Sequence, residues 1–305
     1  MGSGAAVNLF EAAERCLACT EPAAKLALTR VTAAAILNGE LAAVETAAAD
    51  GHGCPSAASA GRAGAADGHG FPSAASAGRA GAASPIGIPG RPARPLLVPQ
   101  RQLAQRGLGS AQGRAALVHA VAHIEFNAIN LAWDAVYRFR GMPAAYYRDW
   151  AQVAADEARH FALLDVRLTD LGHAYGDFDA HDGLWDMATR TAHSCLERMA
   201  LVPRVLEARG LDVTPGMIVR LGRVGDDATV TILETILREE VAHVAAGSRW
   251  FAWCCARAGI EPQATFQSLL ETYMRGALRG PFNVEARLRA GFSAAELAHL
   301  DELAA

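Results

Sequence analysis

The sequence is poor in lysine, in aromatic residues and in charge of one sign. Lys25 is the only lysine, aromatics make up 7% of 305 residues, and the formal net charge is −4. A broad nucleic-acid footprint is normally basic, so this balance argues against one, although it leaves a local basic groove open. No run of 18 uncharged apolar residues occurs, and no membrane span is expected. Glu11 and Glu14 stand where a secretory leader needs a basic and then an apolar stretch. The opening M-G-S-G-A-A lacks the Ser or Thr of the myristoylation pattern. Both absences point to a cytoplasmic protein. The cysteines, Cys16, Cys19, Cys54, Cys195, Cys254 and Cys255, form no disulfide framework. Cys16 and Cys19 spell C-x-x-C, but no second pair exists to complete a zinc site. Runs of β-branched residues are also scarce. What is abundant is Ala and Leu, within a 51% apolar share, and that composition predicts an all-α fold.

Four segments follow from composition. Residues 1–49 read as an N-terminal helical segment, two helices split near Pro22. Residues 50–109 read as a linker. Within it the 17-residue unit at 50–66 recurs at 67–83 with one change, Cys54 to Phe71. Two Gly/Ala/Ser units cannot bury a core, so a flexible tract is expected, and His52 and His69 in it have no fixed geometry for a metal. The Pro-rich stretch 84–99 should be extended along a surface. Residues 110–260 show helical periodicity: helix A over 111–139, helix B over 144–171, helix C over 184–209 with Gly210 as its cap, a short helix at 215–222, and helix D over 226–258. Residues 261–305 form a C-terminal helical extension. The A–B connection is short, so those helices are antiparallel. The B–C connection is long enough to cross a bundle end to end, as a ferritin-like four-helix bundle requires.

Acidic residues lie on the apolar faces of these helices. Helix B carries Trp150, Val153, Ala154, Phe161, Leu164 and Leu168 in one stripe, with Glu157 and His160 inside it. Helix D repeats the arrangement with Leu233, Ile236, Leu237, Val244 and Gly247 around Glu240 and His243. On helix A, Glu125 shares a face with Val118, Val121, Ala128 and Ala132. A buried carboxylate costs several kcal/mol unless it is paired or bound to metal, and four together repel one another. Cations at the centre remove the conflict. The spacing E-x-x-H occurs twice, and positions i and i+3 share a helix face. One further Glu from each remaining helix completes the ligand set of a dimetal-carboxylate bundle. The competing account is a solvated face or an ordinary Glu–His hydrogen bond.

The expected metal ligands are therefore Glu125, Glu157, His160, Glu207, Glu240 and His243. Helix C offers two carboxylates. Glu197 lies nearer its middle but keeps company with Arg190, His193 and Arg204, which read as a solvated face. Glu207 has the apolar neighbours Ala200 and Pro203 but sits one turn from Gly210. The burial pattern favours Glu207, and Pro203 predicts a kink nearby. His123 is two residues from Glu125 and points away from it, so local hydrogen bonds are expected for it. Asp156 and Glu239, each preceding a ligand Glu, read as solvated or outer-sphere groups.

The runs H-A-V-A-H-I-E-F-N-A-I-N-L-A, D-E-A-R-H-F, Y-G-D-F-D-A-H-D-G-L-W, R-M-A-L-V-P-R-V-L-E-A-R-G-L-D, E-E-V-A-H-V and G-P-F-N-V-E-A-R resemble a bacterial ferritin-like family known as a domain of unknown function. The resemblance covers almost everything outside 50–83. It implies a ferritin-like fold and a carboxylate-bridged dimetal centre. More distantly, the family is similar to the non-haem di-iron hydroxylase that modifies a tRNA adenosine.

The expected function is that of an O2-dependent oxidoreductase, a hydroxylase or oxidase, with two iron ions; manganese or a mixed pair suits the same ligands. Its partners would be O2 and a small organic substrate, with the electron donor not written in the sequence. Two alternatives stay open. One is an iron-binding or peroxide-consuming ferritin-like protein. The other is a tRNA-modifying hydroxylase, for which Arg91, Arg94, Arg101, Arg106 and the segment Arg275 to Arg289 offer phosphate contacts.

Overall fold

A computed structural model describes residues 8–41 and 83–304. The tandem repeat lies outside them except for its last residue. The described chain is helical, and its only ladder-like pairing is a parallel bridge between Leu97 and Ala180.

Each helix starts and stops where local chemistry requires. Helix α1 (Leu9–Ala18) is capped by Asn8, whose side chain accepts from the Glu11 amide at 2.9 Å. Helix α2 (Pro22–Leu37) starts with the proline whose absent N–H costs nothing there. Helix α3 (Ala111–Arg138) is capped by Ser110 and closes before Gly141, at φ +77°. Helix α4 (Ala144–Asp170) ends at Gly172, also at φ +77°. Helix α5 (Gly183–Arg190) is short. Helix α6 (Cys195–Leu201) begins at a Ser194 cap. It runs through a π-helical turn, Val202–Glu207, into α7 (Ala208–Arg223). Helix α8 (Asp227–Ala258) is capped by Asp226 and ends at left-handed Gly259. Helices α9 (Pro262–Tyr273), α10 (Val284–Arg289) and α11 (Ala294–Ala304) follow.

Helix C departs from the expectation. The span expected as one helix over 184–209 is broken between Arg190 and Cys195, and then continues to Arg223. Gly210 is not a cap; it lies inside α7, as does Pro215, and the expected helix at 215–222 is the far half of α7. Packing of α7 on α8 outweighs the helix penalties of Gly210, Gly216, Gly222 and Pro215. The consequence is positional. Glu207 stands in the middle of a rod running from Cys195 to Arg223, and Glu197 stands in its first turn.

Four long rods carry the fold: α3 lies along α4, α4 along α8, and α8 along the α6–α7 rod. Helix α1 covers α3 and α2 covers α4. Lys25 ties this cover down: its Nζ is buried and donates to Asn130 Oδ1 at 2.6 Å and to the Cys16 carbonyl at 2.8 Å. The Pro-rich segment is pinned rather than free. The Gly90 amide bonds the Leu17 carbonyl at 2.6 Å, and a β-carbon at Gly90 would collide with the Ala18 carbonyl oxygen. Helix α3 is long and apolar enough to cross a membrane by length and composition, yet 78% of its most apolar window is buried inside the fold.

Candidate metal centre

The long rods bring their acids to one place. Helix α3 is buried on nearly every side from Val118 to Tyr137, because α1, α4 and α5 cover it, and Glu125 is carried inside with it. The i, i+3 spacing on α4 sets Glu157 and His160 on the face turned to α3 and α8. The same spacing on α8 turns Glu240 and His243 toward α4.

The geometry is compact. His160 Nδ1 lies 3.1 Å from Glu125 Oε2, 3.4 Å from Glu157 Oε2 and 3.8 Å from Glu240 Oε1. His243 Nδ1 lies 3.0 Å from Glu157 Oε1 and 3.2 Å from Glu240 Oε1. Donor atoms of Glu125, Glu157, His160 and Glu240 all fall within 4.8 Å of one another, so these four can hold a metal ion. Glu207 is buried beside them, close enough for Glu157 and Glu240 to act on its charge. Among the described residues its Oε2 has no hydrogen-bond partner. Glu197 is not brought to the cluster: it accepts from Tyr273 Oη at 2.5 Å and contacts His193 at 3.2 Å.

The electrostatics ask for positive charge. Burial and the neighbouring Glu157 push the Glu125 carboxyl well above its ordinary range, and they raise Glu240 as well. Burial, then the charges of Glu157 and Glu240, push Glu207 up to about 8. Burial opposes charge on His160, but Glu125 and Glu157 outweigh it and raise the imidazole to about 11. His243 is raised likewise by Glu240 and Glu157 against its burial. Glu157 alone is lowered: burial disfavours its charge, yet His243 and His160 hold it ionised. Five of six groups thus bind protons more tightly than in water, and the sixth is an anion between two cations. Protons and cations compete for such donors. Four carboxylates and two imidazoles, with the buried Glu207 Oε2 left without a partner among the described residues, fit a cationic group.

A family model described as a protein of unknown function (DUF455) matches residues 18–298. The chain belongs to the DUF455 family. An uncharacterized protein of Haemophilus influenzae is 46% identical over 213 residues, which is 68% of this chain and 74% of the relative. No solved structure matches the chain.

In this DUF455 chain the residues preceding the two cluster glutamates pair crosswise. His160 Nε2 on α4 lies 2.7 Å from Glu239 Oε2 on α8, and His243 Nε2 on α8 lies 3.4 Å from Asp156 Oδ2 on α4. Arg159 bridges the two outer acids at 2.9 and 2.6 Å. Each imidazole is fixed through Nε2, which leaves Nδ1 directed at the cluster.

His119 and His123 serve the α4–α5 loop. His119 Nε2 accepts from the Gly176 amide at 2.9 Å, and His123 Nδ1 meets Tyr175 Oη at 2.9 Å. Burial lowers both imidazoles to about 4. Trp133, Tyr137, Tyr146 and Tyr147 are core residues.

Sequence reasoning missed three buried arginines, of which Arg287, expected among phosphate contacts, is paired with Asp212. Arg198, 2% exposed, donates to Asp134 at 2.5 Å, to Thr191 and to the Ala188 carbonyl. Arg204, expected on a solvated face, is also 2% exposed. Its partners lie on α8, α9 and α11 and beside them, too far along the chain for a local pattern to show.

Proposed function

We propose that this chain is a ferritin-like dimetal-carboxylate protein that uses O2 to hydroxylate or oxidise a small organic substrate. The observation that carries the reading is the convergence of two E-x-x-H pairs with Glu125 and Glu207 in one buried cluster. Glu125, Glu157, His160, Glu207, Glu240 and His243 would hold two ions, iron by preference, with manganese suiting the same donors. Such a pair, when bound, supplies two electrons together for O2 chemistry.

The protein's own groups do the rest. Glu239 and Asp156 hold the two imidazoles by Nε2. Phe126 and Phe161, each next in sequence to a cluster residue, pack at 5.4 Å with Tyr175 against both and keep water from that side. Glu125 on α3 and Glu240 on α8 both reach the centre beside α4, so the donors come from different helices and enclose it.

A non-catalytic iron-binding protein would use the same donors. The helices packed beyond the four rods, α1, α2 and α9 to α11, favour substrate coverage over cage assembly. The tRNA reading has less support, because Arg91 and Arg287 are spent on Asp182 and Asp212 within the fold.

Metal analysis of anaerobically reconstituted protein, with Mössbauer or EPR spectra, tests the reading. Close to two ions per chain is expected. A folded protein holding none or one would overturn it.

A further inference from the structure

Pro203 and Arg204 lie in the π-helical turn that ends on Glu207. Proline has no amide to donate, so the α ladder is interrupted there, and the Ala208 amide bonds the Pro203 carbonyl across the wider π ring. A π turn takes more residues per turn than an α-helix. Residues three apart therefore diverge further around the axis than they do on an α-helix. Arg204 and Glu207 are three apart, and they do diverge. Glu207 faces the acids of α4 and α8, while Arg204 faces the C-terminal helices.

Arg204 is enclosed by aromatic rings and bonded through Nε and Nη2, while its buried Nη1 has no partner among the described residues. Its guanidinium carbon stands 4.1 Å from the Phe266 ring centre, 4.4 Å from that of Phe292 and 4.9 Å from that of Phe251. It donates to Glu296 at 2.8 Å and to Ser248 at 3.2 Å. Glu296 is fixed in turn, because its Oε2 accepts from the Ser293 amide at 2.8 Å. A buried arginine in an aromatic cage with a carboxylate partner has little freedom to turn. The adjacent Pro203 is pressed on α8, where only a glycine at 247 admits it.

We infer that Arg204 is a positioning residue: the cage of Phe251, Phe266 and Phe292 with Glu296 fixes the π turn and thereby aims Glu207 at the cluster. The C-terminal extension then serves the centre without touching it. This inference rests on the reading of Glu207 as a metal ligand.

The test is the full-length double variant Arg204→Met/Glu296→Gln. Replacing a buried ion pair by groups of similar shape is often neutral for stability, and Met suits an aromatic cage. The Glu296→Gln change keeps an acceptor oxygen for the Ser293 amide. The probe is cobalt(II), followed by its visible absorption and by the number of ions bound per chain. The expected result is a melting temperature near wild type, an altered cobalt spectrum, and affinity for one of two ions lowered by about tenfold or more. Wild-type spectrum and affinity in the double variant would overturn the inference. If the wild-type protein itself takes up no cobalt, the metal reading fails, and amide hydrogen exchange at Ala208 decides the positioning role. Faster exchange in the double variant supports it, and unchanged exchange overturns it. Should the double variant unfold, Glu296→Gln alone is read by the same criteria.

Discussion

His160 and Glu239 face each other across the seam of α4 and α8, with 2.7 Å between Nε2 and Oε2. The relationship is repeated with the helices exchanged, His243 of α8 against Asp156 of α4 at 3.4 Å. An imidazole held through one nitrogen presents the other in a fixed direction and tautomer.

Glu239→Gln and Asp156→Asn should each lower metal affinity by about 10- to 100-fold while leaving the fold intact. Loss of the exposed ion pair with Arg159 should cost less than about 1 kcal/mol, and loss of the charged bond to a buried imidazole about 1–3 kcal/mol more. Equilibrium dialysis against iron(II) or manganese(II), with thermal melts of the metal-free variants, checks both parts. Full affinity in the pair of variants would show that the crosswise contacts do not orient the imidazoles.

The α4–α5 loop should loosen in acid. The His119 imidazole is lowered from 6.5 to about 4 by burial, so the native protein keeps it neutral while the unfolded chain takes up a proton. A depressed histidine adds stability above the unfolded value and loses it as pH falls from 6.5 toward about 4. Once protonated, Nε2 can no longer accept from the Gly176 amide. Protection of that amide against hydrogen exchange, corrected for the intrinsic rate, should drop across this window. His119→Ala should show the low protection at every pH.

Gly247 and Gly210 should respond in opposite directions to alanine. A β-carbon at 247 would collide with Pro203 Cγ, and both helices there are packed, so Gly247→Ala should cost about 1–3 kcal/mol through overpacking. Among the described residues nothing outside the helix's own backbone lies within 4 Å of a β-carbon at 210, and Gly210→Ala should stabilise by up to about 1 kcal/mol through helix propensity. Melting curves of the two variants decide. A stable Gly247→Ala protein would mean that the π turn can move away from α8.

The helix ends at Gly141, Gly172 and Gly259 were legible in the sequence because a left-handed cap is a local event. So were the apolar stripes of α3, α4 and α8, with the acids inside them, because periodicity reports burial directly. Helix C was not legible. Its true length passes through Gly210 and Pro215, and the contacts that outweigh their penalties come from α8 and α10. Arg204 read as solvated for the same kind of reason: nothing near it in sequence shows three phenylalanines and Glu296 arriving from elsewhere. The crosswise pairing of Asp156 and Glu239 depends on how α4 and α8 are registered, which no single helix records.

Glu207 and Glu197 separate most sharply by substitution. Glu207 is buried among Glu157, Glu240 and His243 with an unpartnered oxygen, and it occupies the middle of the α6–α7 rod. Glu207→Ala removes one donor from the centre, so affinity for one ion should fall by about one to two orders of magnitude or more. The metal-free variant should melt close to wild type, because the buried, unpartnered Glu207 carboxyl costs the metal-free fold desolvation that alanine does not. Glu197 sits in the first turn of α6, where it accepts from Tyr273 and contacts His193. Glu197→Ala loses those bonds and should cost about 1 kcal/mol, while both ions stay bound. Metal content and melting temperature, with and without iron, are the measurements for both variants. If Glu197→Ala releases metal and Glu207→Ala keeps it, the rod delivers its carboxylate from the first turn, and the π turn has no part in the centre.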